Sequence, residues 1–323
     1  MHHLLLRLVP AGLAAGATLL SPAEHARAQA PALATVAAIA DPVFPSWNAG
    51  VPASSVALPE LHWATDGVLG AVGLAGNAIG LGLSVTRQAV PEGGLNPSNI
   101  DWAIDRNAIG NPSTSAEKAS DVVLMATLAG PPVLALLSQP GVHGFGNVIR
   151  RPFVLYGESL LLAQACTQIL KPAIGRPRPF TYLPAPERPT GGVYDVTTEH
   201  AFLSMPSGHA ATTFAAASYA ATDNLLSHPD AGSTEHVAIA AIGGLLAGFT
   251  SNLRIRADQH FPSDALVGGL IGTASGVSVP LLHSYVLPGG GRAPHPGGHA
   301  WLLTAAGYVL GTGAGVGLSS LAY

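Results

Sequence analysis

A chain of 323 residues is long enough for one large domain or two smaller ones, yet only 10% of it is Asp, Glu, Lys or Arg, against roughly 25% in soluble domains. The formal net charge of −4 gives no sign of nucleic-acid binding. A single cysteine, Cys166, excludes an intrachain disulfide and a cysteine-based zinc site.

The opening stretch, MHHLLLRLVPAGLAAGATLL, has a short basic start at Arg7 and then an apolar run, and small residues follow at 26–28. Residues 1–28 read as a secretory signal peptide cut before Gln29, with an uncleaved membrane anchor as the alternative. Either one directs the chain to the cell envelope. Residues 29–65, rich in Pro, Ala and Ser, read as an irregular N-terminal segment. Residues 66–119 are expected to hold an N-terminal helix and a polar loop, 120–286 a core, and 287–323 a C-terminal helical segment.

Uncharged runs occupy 67–86, 122–138, 159–170, 201–222, 237–253, 265–286 and 300–323. Most have helical length and strand-like alternation is scarce, so the expected fold class is all-α, a helical bundle. Small residues recur four apart at Gly76 and Gly80, Gly244 and Gly248, Gly268 and Gly272, a spacing that lets helices approach closely. Several runs reach the roughly 20 residues needed to cross a bilayer. Membrane embedding is therefore expected, with a soluble periplasmic bundle as the alternative. Two features resist it. Loop 227–236 carries Asp230 and Glu235 but no Lys or Arg, and an exported N-terminus followed by three spans would put 171–208 inside. On this reading the first run, Gly-rich and holding Asn77, need not span.

Three short blocks carry the chemistry. In KPAIGRPRPF, Pro172 is expected to stop a helix, and Pro177 and Pro179 to stiffen the segment holding Lys171 and Arg178. In PSGH, Ser207 can cap a helix whose first-turn N–H groups, beside Gly208, form an anion nest, and His209 can pass a proton. In LRIRADQHFPSDA, Arg254 precedes His260, and Asp264 lies four residues beyond the histidine, where a carboxylate can orient the imidazole. Each block alone reads as easily as a capped helix start or a solvated turn. Together they suit phosphoryl transfer through a phosphohistidine. His260 would attack, Asp264 would orient it and His209 would protonate the departing oxygen. Lys171, Arg178, Arg254 and the N–H groups of Ser207 and Gly208 would hold the other oxygens.

With these residues the chain resembles the type 2 phosphatidic acid phosphatase and vanadium haloperoxidase superfamily. The signature Lys-x6-Arg-Pro, Pro-Ser-Gly-His and Ser-Arg-x5-His-x3-Asp is matched by Lys171 to Pro179, Pro206 to His209, and Arg254 to Asp264. The resemblance covers roughly 120–286, and Leu253 departs from it where the family has serine. It implies a helical bundle of that family's type and hydrolysis of a phosphomonoester or diphosphate without metal or other cofactor, at a site facing the periplasm. The implied substrate is a phosphorylated lipid or a small phosphomonoester. A vanadium-dependent haloperoxidase with His260 as ligand, and a catalytically silent phosphate- or lipid-binding protein, are the alternatives. Arg176 and Arg256 are expected only to add positive potential. His62, His143, His200, His228, His236, His283, His295 and His299 show no metal-ligand spacing and read as loop or interface residues, His200 alone bordering the pocket.

Overall fold

The computed structural model describes residues 61, 63–110, 112–137, 145–229, 232–286 and 296–322. The expected signal peptide and most of the irregular segment lie outside these residues. Within them the fold is all-α, with no strand. The helices are α1 (Trp63–Gly82), the four-residue α2 (Ala103–Arg106), α3 (Thr114–Leu137), α4 (Phe145–Ile174), α5 (Gly208–Ser227), α6 (Ser233–Arg256), α7 (Pro262–Tyr285) and α8 (Gly298–Ala322).

Each uncharged run lies wholly or largely on one of the long helices, but the helices reach further. Charged residues such as Glu117 and Asp121 of α3 belong to helix ends, which an uncharged-run criterion trims away. The expected boundary at 119/120 falls inside α3. At the other extreme, the run from 201 begins in a 3-10 turn (Glu199–Phe202), and α5 starts only at Gly208.

Pro172 does not stop α4. The helix runs through it to Ile174 and closes at Gly175, whose φ of 61° and N–H to Lys171 O bond (2.9 Å) form a left-handed cap. Pro172 lies in the last turn, where losing one N–H costs little. Lys171 therefore stands on a helix, and only Arg178 on extended backbone (φ −77°, ψ 155°).

Close helix contacts are made where small residues recur. A Cβ on Gly268, Gly272 or Gly276 of α7 would lie 2.4, 2.2 or 2.2 Å from Ser207 O, Ala211 O or Ser218 Oγ of the α5 segment. Gly244 and Gly248 of α6 meet Tyr308 and Thr312 of α8, and Gly76 and Gly80 of α1 meet Ala165 and Gln168 of α4 in the same way. Backbone thus touches backbone, and dispersion replaces side-chain interdigitation. In each pair the contacts advance in step, so α5 runs parallel to α7, α6 to α8, and α1 to α4. Asn77 is no obstacle to burial on α4, because its Nδ2 donates to Gly73 O (2.8 Å) and Leu161 O (3.1 Å).

α5 is the hub, packed on α3, α4, α6 and α7. At the upper end, where α4 and α6 finish and α3, α5 and α7 begin, segments 83–110 and 175–207 fold over the bundle. Buried Val85, Phe180, Leu183, Tyr194, Ala201 and Phe202 tie them together. Phe180 and Phe202 are fully buried, each worth about 2–3 kcal/mol of apolar transfer. Among the described residues five stretches, Trp63–Gly82, Arg151–Tyr182, Ser233–Arg256, Pro262–Tyr285 and Gly298–Leu321, are long and apolar enough to cross a membrane. Outward Val72, Ile79, Phe153, Ile242, Leu270 and Val309 give them an apolar surface. These features support insertion in a membrane.

Candidate active site

The three blocks meet at the upper end. Lys171, on the last turn of α4, reaches the start of α5, where a Cβ on Gly208 would lie 3.3 Å from its Nζ. Arg178 is buried and donates from Nε to His200 O (2.7 Å) and from Nη1 to Gln259 Oε1 (2.6 Å). Arg254, also buried, donates to Ser120 Oγ (3.3 Å) and Gln259 Oε1 (3.4 Å) and lies 3.7 Å from Glu117 Oε1. Gln259 therefore fixes both guanidiniums. His200 borders the site through its carbonyl, its residue being otherwise exposed.

His260 is 2% exposed in the turn between α6 and α7. That turn includes Asp258, whose φ of 51° is costly for a non-glycine residue. The strained geometry is held by bonds from Gly110 N to Asp258 Oδ2 and from Phe180 N to Asp258 O, each 3.2 Å.

The expected Asp264–His260 contact is replaced by another. His260 Nδ1 lies 2.7 Å from Ser204 O and 3.9 Å from Asp264 Oδ2. A carbonyl can only accept, so Nδ1 carries the hydrogen and Nε2 keeps its lone pair. Asp264 acts one step back. Its carboxylate accepts from Ser204 Oγ (2.6 Å), from Phe261 N (2.8 Å) as a helix cap, and from Arg176 Nη1 (2.5 Å). Burial first, then the charges of Arg178, Arg254, Lys171 and His209, hold the His260 imidazole well below its ordinary pKa.

Ser207 caps α5, its Oγ accepting from Ala210 N at 3.4 Å. Contrary to the expectation from the sequence, its own N–H is not free for an anion, because it donates to Asp264 O (3.0 Å). The open first-turn donors are those of Gly208 and His209. His209 Nε2 lies 2.7 Å from Asp121 Oδ1 on α3. Burial and Arg254 push its pKa down to about 4, with the Asp121 bond opposing them.

Arg176 does more than add potential. It joins Asp264 to Asp105 Oδ2 (2.9 Å) and Ser263 Oγ (2.7 Å) and lies over the Phe261 ring, 4.2 Å from its centroid. Asp105, buried on α2, also accepts from Ser263 N–H (3.1 Å) and Oγ–H (2.6 Å). Asp105, Asp121, Ser204 and Gln259 escaped the sequence reading. Glu117 and Asp121 left the clearest trace, as rare charges at the head of an apolar helix. Leu253, where the family has serine, packs in the core with Ala116 and Ala257.

The upper end thus holds a cationic, largely buried cluster that includes two imidazoles, an arrangement able to bind an oxyanion and exchange a proton with it. Residues 152–288 match the family model described as the PAP2 superfamily, and this segment includes all three blocks. That match supports a phosphatase-type function in general. No curated protein and no solved structure matches the chain.

Proposed function

We propose that the protein is a metal-independent phosphatase acting on a phosphomonoester or diphosphate, of a lipid in preference to a soluble ester, through a phosphohistidine at His260. The observation that carries this reading is the Ser204 O bond, which leaves a buried, neutral imidazole with its Nε2 lone pair among three cations. His260 Nε2 forms a bond to phosphorus as the bond from phosphorus to the leaving oxygen breaks. That oxygen takes the proton of His209. A water then attacks phosphorus from the opposite side, the N–P bond breaks, and the water's proton returns to His209, releasing inorganic phosphate.

Lys171, Arg178, Arg254 and the Gly208 N–H neutralise the non-bridging oxygens, the work a metal does in other phosphatases. Ser207 and Asp264 hold the start of α5 against that of α7 rather than touch phosphate. The preference for lipid rests on the apolar helices around the site. Brief incubation with a substrate labelled on the transferred phosphate, quenched in alkali, tests the intermediate. Acid-labile, alkali-stable label on the chain is expected, and it should be absent from His260→Ala. Label in His260→Ala, or none in a variant slowed at the second step, would overturn the assignment.

A further inference from the structure

At the lower end of the bundle three ionisable side chains from three helices meet. Asp66 lies in the first turn of α1, Glu158 on α4, and His283 in the last turn of α7. His283 was expected in a loop or at an interface, but it is 3% exposed, with Glu158 Oε2 2.8 Å from its Nε2 and Asp66 Oδ1 3.8 Å from its Nδ1. One ligand atom from each of the three lies within 4.8 Å of the other two. Nineteen residues of α7 separate His283 from Asp264, about 28 Å along a helix, so the cluster is no part of the phosphate site.

Two acids face one imidazole from two other helices. Among the described residues no Lys or Arg pairs with either acid. Glu158 Oε1 and Asp66 Oδ1 are buried without a hydrogen-bond partner, and the Glu158 side chain is 5% exposed. Desolvating an unpaired carboxylate is strongly unfavourable, and an ion that both can ligate removes the penalty.

We propose that Asp66, Glu158 and His283 bind one divalent transition-metal ion of the zinc class. One imidazole nitrogen and two carboxylate oxygens suit such an ion better than magnesium or calcium, which prefer all-oxygen shells. The ion staples α1 to α4 and α7. α1 needs such a tie, because only 11% of its apolar stretch is buried and it lies outside the family-matched segment that supplies the other two ligands. The proposal does not depend on the phosphatase reading.

The test uses the full-length protein in detergent, stripped with EDTA and desalted. Competition with a fluorescent zinc chelator is expected to show one Zn2+ per chain bound with a Kd below about 1 μM, and added Zn2+ to raise Tm by several degrees. Glu158→Gln and Asp66→Asn should each lose both effects while phosphatase turnover stays as in the parent chain. Absence of stoichiometric binding and of a Tm shift in the unaltered protein would overturn the proposal. So would undiminished binding by both variants. If Glu158→Gln does not fold, Asp66→Asn and the visible absorption of Co2+ added to the parent protein decide. Bands of a nitrogen- and oxygen-ligated ion, lost in Asp66→Asn, are expected, and their absence or persistence refutes it.

Discussion

Replacing Asp121 by Asn tests the proton path of the proposed reaction without touching the nucleophile. Asp121 Oδ1 lies 2.7 Å from His209 Nε2, and its carboxylate favours the imidazolium. The Asp121 side chain is 57% exposed, so water screens the pair, and its coupling is worth about 0.5–1 kcal/mol. At roughly 1.4 kcal/mol per pKa unit, the loss lowers the His209 pKa by about 0.4–0.7. The sign follows: a lower pKa means less imidazolium at any pH above it, so the alkaline limb of kcat/KM shifts to lower pH. On that limb the rate falls about two- to fivefold. The loss should be seen on an alkyl phosphate, whose leaving oxygen needs a proton, and largely vanish on p-nitrophenyl phosphate, whose leaving group does not. His209→Ala should show the same contrast on a larger scale. Equal losses of the Asp121→Asn variant on both esters, or a limb displaced to higher pH, would remove His209 from the role of acid.

His260→Ala should keep its helical circular dichroism and lose at least about a thousandfold in kcat, and a variant retaining a tenth of the rate would refute the nucleophile. Turnover should survive EDTA and be inhibited by vanadate, and loss on chelation restored by Mg2+ or Zn2+ would refute the metal-free reaction. Gly272→Val places a Cβ 2.2 Å from Ala211 O, forcing α5 and α7 apart at a cost of about 1–3 kcal/mol, read as a lower Tm in detergent. An unchanged Tm would show that the two helices do not touch as closely as described.

The blocks were legible because each is local. His260 and Asp264 are one helical turn apart, and PSGH is a helix start in four letters. What holds the blocks was not, because it comes from elsewhere in the chain. Asp105 reaches Ser263 across 158 residues, and Asp66 and Glu158 reach His283 across 217 and 125. Nothing in local spacing marks such pairs. Even inside a block, a side chain can lose its expected role to a neighbouring carbonyl, as Asp264 does to Ser204 O, since sequence lists side chains but not where the backbone turns. The long helices were readable from apolar runs, whereas their direction was not. α1 runs parallel to α4, so its first residues lie at the end opposite the site. If α1 crosses a membrane from an exported N-terminus, the site faces inward. A periplasmic site instead requires an α1 that does not span, a bundle lying wholly outside, or an N-terminus that stays in.

The family-matched segment carries all the motif residues, yet it is not a module that could be cut out and moved. Cleaving before residue 152 would keep Lys171, Arg178, His209, Arg254 and His260. It would strip Arg254 of Ser120 and Glu117, His209 of Asp121, and Arg176 of Asp105. Arg254 would then keep Gln259 alone among these partners, and Arg176 only Asp264 and Ser263. Grafting, truncation and chimera experiments on this chain must therefore carry residues from 105 onward as part of the functional unit.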